Sequence, residues 1–300
     1  MTTDYLGQAA HQVRLEWGPE GAAALAADAL IVVDVLSFST AVCVAVERGM
    51  SVLPFPMRGA EAAAFARQRR AVLAAGRTHS AVTDPPSPSL SPASLRDCDL
   101  VPRLVLPSPN GSTIAQAHAA TGGQVAAGCL RNAGAVAHWA AARLNGGSTV
   151  AVVPAGERWP APDGTHDGPL RPAIEDLLGA GAILWHLARL TSGTRPVTRF
   201  SPEATLSAEA FAAAQPLLED RLLACVSGQE LIQRGFAADV AIAAELDVST
   251  VVPVLKGEAF ESASDAAYGG GVVPRDRVAD DIVGGGHGLG AVFEPIAGQP

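Results

Sequence analysis

Val101-Pro-Arg-Leu-Val-Leu106, Pro107-Ser-Pro-Asn-Gly-Ser-Thr113, Ile114-Ala-Gln-Ala-His-Ala-Ala120 and Gln124-Val-Ala-Ala-Gly-Cys-Leu130 read in turn as strand, turn, helix and strand, closing on a second polar turn at Arg131-Asn132. Both turns sit where a strand gives way to a helix. In an open parallel sheet that is the edge where ligands bind, because each following helix aims unpaired N–H groups and its positive dipole end at the crevice. Asn110, Gly111, Ser112 and Thr113 offer small side chains, hydroxyls and close backbone approach, a combination suited to phosphate. The same residues also read as a plain helix cap with a glycine turn.

Working outward, Ala29-Leu-Ile-Val-Val33 runs straight into Asp34. Five apolar residues ending on an acid predict a strand buried on both faces with a carboxylate at its C-terminal end. Asp34 reads as a cap, or as a magnesium ligand or nucleophile held rigidly at the crevice. Further strands are expected over Ser51 to Pro56, Ala71 to Ala75, Ser148 to Pro154 and Thr250 to Leu255, with a possible edge strand over Gln12 to Glu16. Arg77 follows the second of these, and Glu157-Arg158 the third. Amphipathic helices are predicted between them, including Ala133 to Leu144 and Ala173 to Leu190; Glu175 and Asp176 open the latter. Those two acids either favour the helix dipole or bring further carboxylates to the edge that holds Asp34.

The alternation of strands and helices predicts an α/β chain: three layers, α/β/α, around a mostly parallel or mixed sheet. An N-terminal edge segment is expected over 1–28, the main unit over 29–260 with a subdomain division allowed near 191–200, and a Gly-rich, weakly ordered tail over 261–300. Residues 83–92 and 159–172 read as long loops, rich in Pro and in Pro, Gly and Asp respectively. At 300 residues, 48% hydrophobic and 17% charged, the chain can bury a sizeable core and is not disordered.

Composition also narrows the function. A net charge of −9 without a basic run beyond Arg67, Arg69 and Arg70 argues against nucleic acid as a partner. Apolar runs stop short of the roughly 20 residues that a membrane span requires, and Met1 to Gln12 has no secretory-signal pattern. A cytoplasmic protein without a membrane partner is expected; a homo-oligomer is compatible with the sequence. Cys43, Cys98, Cys129 and Cys225 lack metal or disulfide spacing and read as buried thiols. The Gly-rich tail does not fit a dinucleotide fingerprint, and the His166-Asp167 pair reads as solvated.

Polar groups thus recur at strand ends: Asp34, Arg77, Asn110 to Thr113, Arg131-Asn132 and Glu157. Such an edge suits a phosphate held jointly by the protein and a divalent metal, with magnesium expected from the oxygen donors. The two-aspartate nucleophile pattern of aspartyl phosphatases would require an acid where Leu36 stands.

The order of five motifs carries a resemblance. Asp34-Val35-Leu36, Asn110-Gly111 after Leu104-Val105-Leu106, Leu130-Arg131-Asn132-Ala133, Glu175-Asp176 with Gly179-Ala180-Gly181-Ala182, and Ser227-Gly228 with Leu231, Gly235-Phe236 and Asp239 are found here. Over roughly Ala29 to Leu255 the chain resembles the 2-phosphosulfolactate phosphatase family. The resemblance implies a layered α/β/α fold and a magnesium-dependent phosphatase acting on 2-phosphosulfolactate in the route to coenzyme M. Asp34, Asn110, Asn132, Glu175 and Asp176 are the positions it carries over. Departures are Ser37 where an arginine is expected, Ala75-Gly76-Arg77 for Gly-Glu-Arg, and Leu90-Ser91-Pro92 for Asn-Ser-Pro. Arg131 and the Glu157-Arg158 pair are expected to supply the missing charges.

The resulting expectation is that Asp34, Glu175 and Asp176 hold magnesium and do the chemistry, while Asn110, Gly111, Ser112, Thr113, Arg77, Arg131, Asn132, Glu157 and Arg158 bind a small phosphorylated acid. The alternatives are a binding protein without activity on the same fold, or a phosphotransferase or other metal-dependent hydrolase.

Overall fold

The computed structural model describes residues 5–80, 86–161, 168–192 and 199–264. In chain order the first half contains β1 (Val13–Leu15), α1 (Gly18–Leu25), β2 (Ala29–Val33), α2 (Phe38–Glu47), β3 (Ser51–Phe55), α3 (Ala60–Arg69), β4 (Val72–Leu73), α4 (Arg77–Ser80), α5 (Pro92–Asp97), β5 (Arg103–Pro107), α6 (Gly111–Ala120) and β6 (Gln124–Gly128). A short 3₁₀ turn, Leu130–Asn132, leads to α7 (Ala133–Asn145), β7 (Val150–Pro154), β8 (Glu157–Arg158), β9 (Leu170–Arg171) and α8 (Ile174–Thr191). The rest is α9 (Pro202–Ala214), α10 (Leu218–Ala224), α11 (Val226–Gln233), α12 (Ala237–Ala244), β10 (Pro253–Lys256) and β11 (Ala259–Ser262).

Nine strands form one mixed sheet in the order β1-β7-β2-β6-β10-β11-β3-β5-β4. β1, β7, β2 and β6 are mutually parallel, as are β3, β5 and β4. Between the two groups sits the antiparallel hairpin β10–β11, pairing with β6 on one side and β3 on the other. Helices cover both faces, so the fold is a three-layer α/β/α arrangement. The edge segment is part of it: β1 joins the sheet through β7.

Burial explains why β2 is central. All five of its side chains are fully buried, each worth about 1.5–3 kcal/mol for the larger aliphatics. Because side chains alternate across a strand, Ala29, Ile31 and Val33 enter the core under α7, α8 and α9, while Leu30 and Val32 enter the core under α1, α2 and α6.

Several elements depart from the sequence expectation. The hairpin's second strand, β11, is not among the expected strands, and its last two residues fall in the stretch assigned to the tail; its pairing with β3, far away in sequence, leaves no local signal. Glu157–Arg158 and Leu170–Arg171, expected as turn and loop, form a two-stranded ribbon. Pro92 begins α5, where Ser91 accepts the Ser94 N–H as a cap. Residues 83–85, the His166-Asp167 pair, most of the 191–200 linker and the Gly-rich runs of the tail lie outside the described residues.

α8 approaches its neighbours closely because of its small residues. A Cβ on Gly181 would lie 2.3 Å from the Ser207 carbonyl oxygen on α9, and one on Gly179 would lie 2.6 Å from Val35 Cγ2. Gly181→Ala should therefore destabilise the fold by about 1–3 kcal/mol, since a backbone oxygen cannot turn aside as a rotamer can. Urea unfolding checks this; unchanged stability would mean that the two helices are not packed at this distance.

Candidate functional site

The end of β2 is fixed by its own turn. Ser39 Oγ donates to the Asp34 carbonyl and accepts the Asp34 N–H, both at 2.9 Å, and Thr40 Oγ1 donates to the Val35 carbonyl at 2.8 Å. The Phe38 N–H donates to Asp34 Oδ1 at 2.9 Å, and the Gly111 N–H also bonds this carboxylate. Burial pushes the Asp34 carboxyl above its usual range, against the pull of those two N–H groups and of Arg77. Gly111 serves this contact by its lack of a side chain: a Cβ there would sit 2.2 Å from the Phe38 ring.

Asp176, in the first turn of α8, joins two strand ends. Its Oδ1 accepts the Val35 N–H at 2.7 Å and its Oδ2 accepts the Gly156 N–H at 2.9 Å. Burial, with the charges of Asp34 and Glu175, raises its pKa well above the usual carboxylate range. Glu175 is also buried and bonds the Cys225 thiol, which burial and that neighbouring charge push up to about 12.

Beyond this layer opens a cavity of about 570 Å³ at the C-terminal ends of β2, β3, β4, β5 and β7. Asp34 and Glu157 line it, together with Ser37, Asn110, Arg77 and Arg158. Asn110 Nδ2 lies 3.2 Å from the Gly156 carbonyl and 3.3 Å from Glu157 Oε2, so it ties the β5 end to the β7 end. Arg77 donates through Nε to Asp239 at 3.3 Å, and its Nη2 bonds Ser37 Oγ and the Leu90 carbonyl. Burial, then the charges of Asp34 and Glu175, push the Glu157 carboxyl up to about 8.

Four of the expected site residues are engaged elsewhere. Arg131 is buried and paired with Glu47, at 3.1 Å, and with Glu245. The Asn132 side chain accepts the Cys129 N–H at 2.9 Å and donates to the Val251 carbonyl at 3.0 Å. Both are shut off because residues 247–251 cover the end of β6, with the Asp247 and Ser249 N–H groups on the Leu130 and Arg131 carbonyls. Ser112 is buried and bonds the Leu106 carbonyl, and Thr113 bonds the Pro109 carbonyl, so both hydroxyls serve the start of α6.

Of the three carboxylates expected to hold magnesium, Asp34, Glu175 and Asp176, only Asp34 lines the cavity. Both Asp176 oxygens are held by backbone N–H groups and Glu175 faces Cys225. Among the described residues no three His, Cys, Asp or Glu side chains converge as a metal site. Asp34, Glu157 and Glu230 line the cavity; Glu230 is paired with Arg234, and Asp34 and Glu157 are close enough for the charge of one to act on the other. Magnesium commonly takes one or two carboxylates and completes its shell with water and phosphate, and this pair fits that demand.

Arg58, Arg171 and Arg234 also line the cavity and were not singled out in the sequence, where each looks like an ordinary surface cation. Only the Glu157–Arg171 register across the small ribbon could have signalled one of them. Over residues 19–258 the sequence matches the family described as 2-phosphosulpholactate phosphatase. The chain belongs to that family. No curated protein matches it. In this 2-phosphosulpholactate phosphatase family member, the strand-end acids and the arginines therefore surround a cavity of a size fit for a small ligand. Among the described residues, no helix is long and apolar enough to cross a membrane.

Glu157 gives a pH test. A carboxyl whose pKa is raised from 4.5 to about 8 on folding keeps its proton where the unfolded chain has lost it. Its contribution to stability is full below the unfolded value and is lost as pH rises through the folded one. In chelator, the unfolding free energy should fall less steeply between about pH 5 and about pH 9 for Glu157→Gln than for the wild type. Parallel curves for the two would remove the assignment.

Proposed function

We propose that this chain is a magnesium-dependent phosphatase that hydrolyses the phosphate monoester of a small 2-hydroxy acid, of the 2-phosphosulfolactate type. Family membership supports phosphatase chemistry. The observation that carries the reading is the cavity itself: Asp34 and Glu157 beside five arginines, Arg58, Arg77, Arg158, Arg171 and Arg234, at the ends of strands.

In this reading Arg77 and Arg158 take the phosphoryl oxygens. Arg77 suits that role because Asp239, Ser37 and the Leu90 carbonyl fix its plane, so little side-chain freedom is lost on binding. Arg171, whose Nη2 bonds Ser227 Oγ at 3.2 Å, takes the acid group of the substrate. Asp34 and Glu157 would hold the magnesium ion, which supplies Lewis-acid stabilisation of charge on the phosphoryl oxygens. Asp34, which lines the cavity and is oriented by two N–H donors, would hold the attacking water. Trp159 and Pro160 contribute apolar wall, which limits water around the reacting group.

The test is release of inorganic phosphate from 2-phosphosulfolactate and related phosphorylated acids, with magnesium and with chelator. Release should require magnesium and should fall by about 10²–10³-fold in Asp34→Asn, the scale seen when a preorganised polar group is removed from an active site. Metal-independent release, or full activity in the variant, would overturn the reading. Binding of these acids without release would instead favour a binding protein, the reading suggested by Ser37 and Gly76.

A further inference from the structure

A second chamber of about 660 Å³ lies against the first. The two share Arg58, Arg77, Leu90 and Arg234. Beyond those four, the second chamber is walled by the small and apolar residues at the end of β4, among them Leu73, Ala74 and Ala75, and among the described residues no carboxylate lines it. Three guanidinium groups against apolar walls make a site for an anion at the end of a hydrocarbon spacer. Arg77 is committed to Asp239 and Arg234 to Glu230, but among the described residues Arg58 has no hydrogen-bond or ion-pair partner.

Gly76 keeps this chamber open. Its backbone does not lie in the left-handed region that would require glycine. A Cβ there would meet nothing within 4 Å, so any larger side chain would project into open space. Each chamber is larger than the roughly 300 Å³ at the lower end for drug-sized ligands. A three-carbon phosphorylated acid would occupy the first and leave the second empty.

We propose that the second chamber is a second anion subsite, so that the favoured substrate is a longer phosphorylated acid. Its phosphate lies in the first chamber and a terminal carboxylate lies in the second, against Arg58 and Arg234. This rests on the phosphatase reading for turnover, but the chamber can be tested without it.

The experiment compares the 2-phosphates of lactate, malate, 2-hydroxyglutarate and 2-hydroxyadipate, reading kcat/KM with magnesium and equilibrium affinity in chelator. The quantity of interest is the ratio of the longest ester to 2-phospholactate, which cancels any general loss of folding or chemistry. The wild type should favour the longest ester by about tenfold or more, a preference of the size given by one charge-assisted contact. That ratio should drop below about threefold in Gly76→Leu, which intrudes on the chamber, and in the exposed-site variant Arg58→Gln, which should fold normally. Equal values across the series, or a ratio unmoved in both variants, would overturn the subsite. Preferential binding of the longest ester without turnover would uphold the subsite and overturn the phosphatase reading; turnover without preference would do the reverse.

Discussion

A single buried carboxylate holds the site together. Asp176 accepts the N–H of Val35, just after β2, and the N–H of Gly156, just after β7, so two adjacent parallel strands end on the same side chain. These N–H groups are buried away from water and would each cost about 1–3 kcal/mol if left unpaired. With the two loops tied, Asp34 and Glu157 are set beside one another at the cavity wall. Asn110 then adds the β5 end through the Gly156 carbonyl. Every later feature of the site depends on these loops keeping their relative position.

The same arrangement concentrates charge. Burial raises the pKa values of Asp34, Glu157 and Asp176, and the charges of neighbouring carboxylates, Glu175 among them, raise them further. Such a cluster is costly unless cations are at hand. Arg77 supplies one from α4, kept in place by a nearly buried Asp239 on α12 that also accepts from Ser91 and from the Ala93 N–H. Acids and arginines thus line one cavity together.

Much of the fold was legible in the sequence because β2 and its parallel neighbours are buried on both faces and read as apolar runs. Asp34, Arg77, Asn110 and Glu157-Arg158 could be grouped in advance for a topological reason: the C-terminal ends of these strands meet at one cavity. Arg131 and Asn132 satisfy the same sequence rule and yet lie outside it. What sets them apart is the β10–β11 hairpin and its lead-in, which close over the end of β6 through contacts more than a hundred residues away in sequence. Asp176 was legible as an acid near the edge but not as a staple, since its role depends on two N–H groups from distant turns. Arg58, Arg171 and Arg234 carry no local pattern; only the fold turns them toward the cavity.

The phosphatase reading puts a phosphate group among these arginines at the strand ends. Inorganic phosphate is the product of every phosphomonoester hydrolysis, so its equilibrium binding by calorimetry tests the claim without a choice of substrate. The wild type should bind phosphate, and Arg77→Gln and Arg158→Gln should each weaken that binding by about tenfold, the loss of one charge-assisted contact. Phosphate binding that is unaltered in both variants would place the anion elsewhere on the molecule.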